Sequence, residues 1–368
     1  MMIIGVVGLG TMGLGIAQVF AASGYTVLAT DAFAPARASA LGRLRAALEP
    51  RVAKGAMTPQ AMQATLANLL VVDGPEAMAK AQLVIEAILE TLPAKQGIFA
   101  GLEAVVASDA VLATNTSSLS VTAIAAGLKV PERLVGLHFF NPAPVMKLVE
   151  LIAHPGTSPA ALTLARHLTE ATGKTVIACP DRPGFIVNRC ARPYYGEALA
   201  LLEEGRTPSD IDVAMLAAGY KMGPFSLIDL IGADINLAAT EGLRAALNHP
   251  RYHVFAALKA QVESGHLGRK TGQGFLFPAL PGPAPDDAAA IALRIEATLA
   301  NEAAWLLSEG GTTRESIDMA MKLGLNFPRG PFEAAARHGA QAIGETLAKL
   351  EDAAPEALKT RYLPAPNL

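Results

Sequence analysis

Ile3-Ile4-Gly5-Val6-Val7-Gly8-Leu9-Gly10-Thr11-Met12-Gly13 decides the fold: an apolar, largely β-branched run leads straight into glycines spaced G-x-G-x-x-G and then into a helical pattern. Glycines so placed make a tight turn and let the backbone approach a pyrophosphate, while the helix N-terminus offers N–H groups and partial positive charge. A second β-branched run ends at Asp31, eighteen residues past Gly13. A carboxylate there hydrogen-bonds the adenosine ribose hydroxyls and repels a 2′-phosphate. The neighbouring Ala32, Phe33 and Ala34 offer no arginine to receive such a phosphate, so NAD is expected over NADP. Gly8, Gly10, Thr11, Met12, Gly13 and Asp31 are the candidate cofactor residues.

Outward from this turn, short apolar runs alternate with longer helical patterns, which is how a parallel sheet with crossover helices reads. Strands are expected at 3–8, 26–30, 69–72, 83–86, 111–114, 134–138, 147–152 and 175–178, with a helix over 159–172. A helical insert over 35–67, broken near Gly55 and Pro59, is too long for an ordinary crossover and predicts a helical hairpin. The fold class expected is α/β, a Rossmann-type doubly wound and mostly parallel sheet, followed by an all-α domain present in two copies. The boundaries read as 1–182 for the nucleotide domain, 183–278 for the first helical domain, and 279–368 for a linker with the second copy.

The duplication rests on an ordered series of matches. Asn188–Phe225 and Leu293–Phe332 share Arg189 with Arg294, Glu197 with Glu302, Asp212 with Asp318, and Gly223-Pro224-Phe225 with Gly330-Pro331-Phe332. One-residue loop gaps suffice to align them, and a repeated helical unit follows. The linker Pro-Ala-Leu-Pro-Gly-Pro-Ala-Pro, 278–285, separates the copies.

Composition bounds the function. Hydrophobic residues are 51% and charged residues 17% of 368, enough for substantial cores. A net charge of -3 argues against a general nucleic-acid binder. No stretch approaches the roughly 20 apolar residues that span a bilayer, so no membrane partner is expected. Cys179 and Cys190 form no metal-ligand spacing, so no metal is expected, and two thiols suit a reduced, cytoplasmic protein.

Removing a hydride from an alcohol carbon requires a base for the hydroxyl proton, neutral near working pH, which suits histidine. Of seven histidines, His138 closes a strand in Leu137-His138-Phe139-Phe140-Asn141-Pro142, at the edge where ligands of open parallel sheets bind. His154, His249 and His253 fall in polar or proline-adjacent loops and read as surface residues.

Asn115-Thr116-Ser117-Ser118, His138-Phe139-Phe140-Asn141-Pro142, Glu150 and Pro183-Gly184-Phe185-Ile186-Val187-Asn188-Arg189 together resemble the L-3-hydroxyacyl-CoA dehydrogenase family. Gly223-Pro224-Phe225 and Gly268-Arg269-Lys270-Thr271-Gly272-x-Gly274-Phe275 fit the same family's helical domain, the match running to about Phe277. The resemblance implies reversible NAD-dependent oxidation of an L-3-hydroxyacyl-CoA thioester to the 3-ketoacyl-CoA, as in fatty-acid β-oxidation. His138 would be the base and Glu150, at the end of the next strand, would hold its other nitrogen. Ser117 and Asn188 would hydrogen-bond substrate oxygens, a helix N-cap being the other reading of Ser117. Glu90, Lys95 and Asn115 fall where the family contacts the nicotinamide half, a solvated Glu90–Lys95 pair being the alternative. The basic insert carries Arg37, Arg43, Arg45, Arg51 and Lys54 against Glu49, and Arg51 and Lys54 are the candidates for the coenzyme A phosphates.

Leu293 stands where the first copy has Asn188, so the second copy is read as catalytically degenerate. Single-copy relatives dimerise through the helical domain, and the two copies here are expected to form an internal pseudo-dimer. A monomer follows from that, with a homodimer as the alternative. The chain opens on its first strand, so a hydratase would be a separate protein. Two other readings compete: a sugar-acid (L-gulonate-type) dehydrogenase of the lambda-crystallin branch, and a non-catalytic nucleotide-binding relative, which would be expected to lack His138, Glu150 or Asn188.

Overall fold

The structure, a computed structural model, describes residues 2–366 and 368. It divides into two compact units, Met1–Arg182 and Pro183–Leu368.

In the first unit eight strands form one sheet: β1 Ile3–Val7, β2 Thr26–Thr30, β3 Leu69–Val71, β4 Leu83–Glu86, β5 Val111–Thr114, β6 Leu134–Phe139, β7 Leu148–Ala153 and β8 Thr175–Pro180. Their order is β3-β2-β1-β4-β5-β6-β7-β8. The chain therefore leaves β1 in one direction and returns on its other side at β4, and ligands of such sheets bind at this reversal. β1 to β6 run parallel, β7 is antiparallel to β6, and β8 is parallel to β7. β4, β5 and β6 are buried at every position, as expected of strands covered on both faces. The insert forms two helices, Ala34–Ala53 and Pro59–Asn68, parted at Gly55 in the left-handed region (φ 69°) with Thr58 capping the second. Only Ala40, Leu44 and Leu48 of the first are buried, a narrow stripe that leaves its charged face in water.

The second unit is helical among its described residues, apart from one isolated bridge between Gly268 and Gln273. Its repeated motifs have a physical reason. The Asp212 carboxylate accepts the N–H groups of Phe225 and Ser226, both at 2.8 Å, at the start of helix Pro224–Ile231. Asp318 does the same for Phe332 and Glu333 at 2.8 and 3.1 Å, at the start of helix Pro331–His338. A side chain on Gly223 or Gly330 would strike that carboxylate, with a Cβ within 2.3 Å of Asp212 and 2.2 Å of Asp318. Aspartate, glycine and the proline in the first helical turn are thus one capping device, built twice.

The charged residues of the motifs cross over. Arg189 Nε donates to Glu302 at 2.8 Å, and its terminal nitrogens reach Glu309 at 2.8 and 2.6 Å. Reciprocally, Arg294 Nε donates to Glu197 at 2.8 Å and its terminal nitrogens to Glu204 at 2.6 and 2.7 Å. Tyr252 and Arg251 complete the shell of Glu302, as Tyr362 and Arg361 complete that of Glu197. Glu197 and Glu302 are 0% and 1% exposed, so both clusters lie in the interior, where an ion pair must be fully hydrogen-bonded to persist.

Candidate active site

The turn after β1 gives its three glycines three different tasks. Gly8 has φ 99°, and a Cβ there would lie 2.4 Å from the Ala87 carbonyl. Gly13 lets the helix Thr11–Ala22 sit on that turn, since a Cβ would fall 1.8 Å from the Gly8 carbonyl. Around Gly10 a Cβ would meet nothing within 4 Å, so this residue keeps open the space above the helix N-terminus. An open backbone cradle at an uncapped helix start fits a pyrophosphate.

Asp31 follows β2 and clasps the same turn: its Oδ2 accepts from Leu9 N–H at 2.6 Å and its Oδ1 from Phe33 N–H at 2.8 Å. Residues 32–34 carry no arginine, but the insert brings two to this turn. Arg37, one helical turn on, donates to the Asp31 carbonyl at 2.6 Å, and Arg43 donates to the Leu9 carbonyl at 2.7 Å. Both bend back from the insert, so two of its five cations serve the nucleotide turn. Arg51 and Lys54 remain exposed at the far end of the first insert helix.

The central feature comes from strand register. Antiparallel pairing of β6 with β7 sets His138 opposite Glu150, and His138 Nδ1 lies 2.7 Å from Glu150 Oε2. Glu150 stands within β7 rather than at its end, and is fully buried, as is His138 but for 6% of its surface. A carboxylate so placed accepts the Nδ1 proton and fixes the tautomer with its lone pair on Nε2. Phe140 lies beside the imidazole, ring centroids 4.5 Å apart. Asn115 braces this strand end, its Oδ1 accepting Phe139 N–H at 2.8 Å. Lys174, pushed down to about 8 by burial, ties the loop after β6 through the carbonyls of Ala143 and Met146.

A second polar cluster follows β4. Lys95 is 1% exposed, so the solvated reading of Glu90 and Lys95 is wrong for the lysine; its ammonium meets Glu86 at 2.6 Å and Glu90 at 3.1 Å. Glu86, absent from the candidates, is the buried hub, also accepting Thr114 Oγ1 and Ile88 N–H, each at 2.7 Å. An acid closing an apolar strand run was the signal available. Glu90 gathers the 116–118 loop, accepting Thr116 Oγ1 at 2.7 Å, Ser117 N–H at 2.8 Å and Ser118 Oγ at 3.1 Å. Burial works to raise the Glu90 carboxyl, but the Lys95 ammonium and these hydrogen bonds outweigh it and hold it below the usual carboxylate range. The helix that follows, Val121–Ala125, is capped by Ser120 and not by Ser117. His154 is not a surface residue either. It is buried, with Nε2 3.0 Å from the Pro131 carbonyl and Nδ1 accepting Gly156 N–H.

In the second unit Asn188 lies in the short helix Val187–Cys190, and its carbonyl accepts from Arg192 Nε at 3.0 Å. The Gly268–Phe277 tail is closed by Asp229, whose carboxylate takes the N–H groups of Phe275, Leu276 and Phe277, all at 2.8 Å.

Among the described residues no group of three or more His, Cys, Asp or Glu side chains could hold a metal ion, and no helix is long and apolar enough to cross a membrane.

Comparison with known proteins agrees across both units. Residues 3–182 match the 3-hydroxyacyl-CoA dehydrogenase NAD binding domain, and residues 184–277 and 291–367 match the C-terminal domain of the same family. A 3-hydroxyadipyl-CoA dehydrogenase of Escherichia coli is 45% identical over 274 residues, 74% of this chain and 58% of that protein. A mitochondrial hydroxyacyl-coenzyme A dehydrogenase of Homo sapiens is 39% identical over 73% of this chain and 89% of its own length. Among solved structures, a 3-hydroxybutyryl-CoA dehydrogenase from Escherichia coli matches with a TM-score of 0.91 and 34% identity, over 99% of this chain and 96% of that one. Taken with the glycine turn, its acid and the histidine–glutamate register, these matches make the chain a member of the 3-hydroxyacyl-CoA dehydrogenase family, an NAD-dependent oxidoreductase.

Proposed function

We propose that the protein oxidises the 3-hydroxyl of an L-3-hydroxyacyl-CoA, reversibly, as a step of fatty-acid breakdown in the cytoplasm. The observation that carries this reading is the His138–Glu150 pair at 2.7 Å on adjacent antiparallel strands. A bound nicotinamide would supply the hydride acceptor. His138 takes the hydroxyl proton on Nε2, and Glu150 stabilises the imidazolium that results. Ser117 and Asn188 orient the substrate oxygens, and such alignment lowers the barrier by up to roughly 7–11 kcal/mol in the best cases. Gly8, Gly10, Thr11, Met12, Gly13 and Asp31 hold the adenosine and pyrophosphate, while Glu90, Lys95 and Asn115 shape the nicotinamide end. Arg51 and Lys54 meet the coenzyme A phosphates. Support for the thioester comes from relatives named for 3-hydroxyadipyl-CoA and 3-hydroxybutyryl-CoA.

The test follows NADH absorbance as the purified protein reduces acetoacetyl-CoA, free acetoacetate or dehydrogulonate. Turnover of the thioester alone is expected; turnover of the sugar acid alone would overturn the proposal.

Asp31→Ala is expected to weaken NADH binding by about tenfold to a hundredfold, the loss of a charged hydrogen bond, while NADPH binding improves because Arg37 lies one turn away. Fluorescence titration with both nucleotides checks this. Unchanged NADH affinity would remove Asp31 from the site.

We further propose that 279–368 is a linker and a second, degenerate copy of the 183–278 domain, and that the two copies act as an internal pseudo-dimer. Helix Ala288–Ser308 packs on Arg192–Glu203 and Pro208–Ala217, and the Arg189–Glu302 and Arg294–Glu197 pairs link the segments. Deleting residues from Ala284 onward should bare this apolar face and strand Arg189 and Glu197, giving aggregation or dimers by light scattering. A soluble monomer of unchanged activity would defeat the idea.

A further inference from the structure

Arg192 opens helix Arg192–Glu203 and is 6% exposed, yet no carboxylate among the described residues pairs with it. Its partners are neutral: the Asn188 carbonyl at 3.0 Å, Thr240 Oγ1 at 3.3 Å and the Asn236 carbonyl at 3.5 Å, with the Tyr195 ring 4.8 Å from the guanidinium carbon. A guanidinium carries five donors, and no described residue accepts from Nη2. Burial works against its charge, opposed only by Tyr195 and by no carboxylate. The contrast with Arg189, three residues away in the chain and bonded to two glutamates, is direct.

A second observation lies on the facing helix, Ala233–Leu247. Asn236 is 1% exposed, and neither its Oδ1 nor its Nδ2 has a hydrogen-bond partner. A buried amide with both ends unpaired and a buried cation without an anion are each costly, and here the cation meets the backbone carbonyl of the same asparagine. One ligand chemistry meets the open donors of both: a carboxylate accepts from the guanidinium Nη2 and from the amide Nδ2.

Resting on the reading of Asn188 as a substrate-orienting residue, we propose that Arg192 and Asn236 receive the distal carboxylate of the acyl chain, making dicarboxylic 3-hydroxyacyl thioesters the substrate class. Arg192 follows Asn188 by one helical turn, roughly 6 Å along the axis, which suits a short chain reaching from the reacting end to its terminal carboxylate. The phosphates of coenzyme A are anions too, but they lie at the other end of the pantetheine arm.

The experiment compares kcat/KM for 3-hydroxyadipyl-CoA and 3-hydroxyhexanoyl-CoA, six carbons each, in the full-length protein, Arg192→Met and Asn236→Leu. The dicarboxylic-to-monocarboxylic ratio is expected to exceed about ten in the parent and to fall at least about thirtyfold in Arg192→Met, as a charged hydrogen-bonded contact is lost. Asn236→Leu should lower it several-fold, and gives the same reading if Arg192→Met does not fold. A parent ratio near one, or a ratio unchanged in either variant while both rates fall together, overturns the proposal and leaves Arg192 a brace for the Asn188 backbone. Free adipate raising the melting temperature through Arg192, with a ratio near one, also overturns it, in favour of a separate carboxylate ligand. If the parent turns over neither thioester, the reading of the reaction itself fails.

Discussion

The His138→Gln protein is expected to bind NADH as the parent does and to turn over acetoacetyl-CoA about 10²- to 10⁴-fold more slowly, the usual range for a lost general base. Glutamine retains much of the shape and a polar head, so the strand pairing with β7 should persist and the melting temperature should barely move. Glu150 gives the companion measurement. Because it is wholly buried and 2.7 Å from Nδ1, Glu150→Gln keeps the contact but removes the charge that favours a protonated imidazole. That variant should lose kcat with KM little changed and shift the pH profile of kcat. An enzyme retaining more than about a tenth of its turnover without His138 would have another group taking the proton.

Glu302→Leu should destabilise the protein by about 3–5 kcal/mol, because it strips buried Arg189 of its one fully buried counter-charge and leaves it only the part-exposed Glu309. Arg189, Arg251 and Tyr252 all meet that carboxylate, and Arg189 and Tyr252 are almost wholly buried. Glu197→Leu should cost a comparable amount, since Arg294, Arg361 and Tyr362 surround it in the same way. Urea unfolding measures both. A loss under about 1 kcal/mol would class these clusters with exposed ion pairs. Restoring stability in the Arg189→Met/Glu302→Leu double variant would identify the stranded charge, rather than a lost attraction, as the origin of the defect.

What could be read in advance was whatever a local pattern records. The strands at 26–30, 83–86 and 111–114 have the expected bounds because turn residues and polar positions frame apolar runs; β6 and β8 extend a residue or two further. The break in the insert was visible because Gly55 and Pro59 act on their own backbone. Long-range pairing is another matter. That His138 and Glu150 face each other depends on the antiparallel register of β6 and β7, which no window of residues reports. Glu86 goes unremarked, and the solvated alternative for Lys95 fails, for the same reason: a charged side chain looks solvated until the fold supplies its counter-charge and closes water out. His154 sat in a proline- and glycine-flanked loop and read as exposed, yet that loop folds its ring onto a backbone carbonyl 23 residues earlier. Arg37 and Arg43 were counted as a basic helix face, whereas their length carries their heads back to the nucleotide turn. Arg192 and Asn236 stand 44 residues apart, and nothing in either neighbourhood announces the other.

The crossing of Arg189 to Glu302 and Arg294 to Glu197 has a consequence for dilution and for drift. Both partners are on one polypeptide, so their encounter is set by the linker's effective concentration and not by the amount of protein in solution. The melting temperature should therefore be the same at nanomolar and micromolar concentration, unlike that of an obligate dimer. A self-pairing surface must also accept every substitution twice, once on each side of its axis. Here each segment can change alone, and Leu293, standing where its counterpart has Asn188, is a substitution that a strictly symmetric pair could not have tried on one side only.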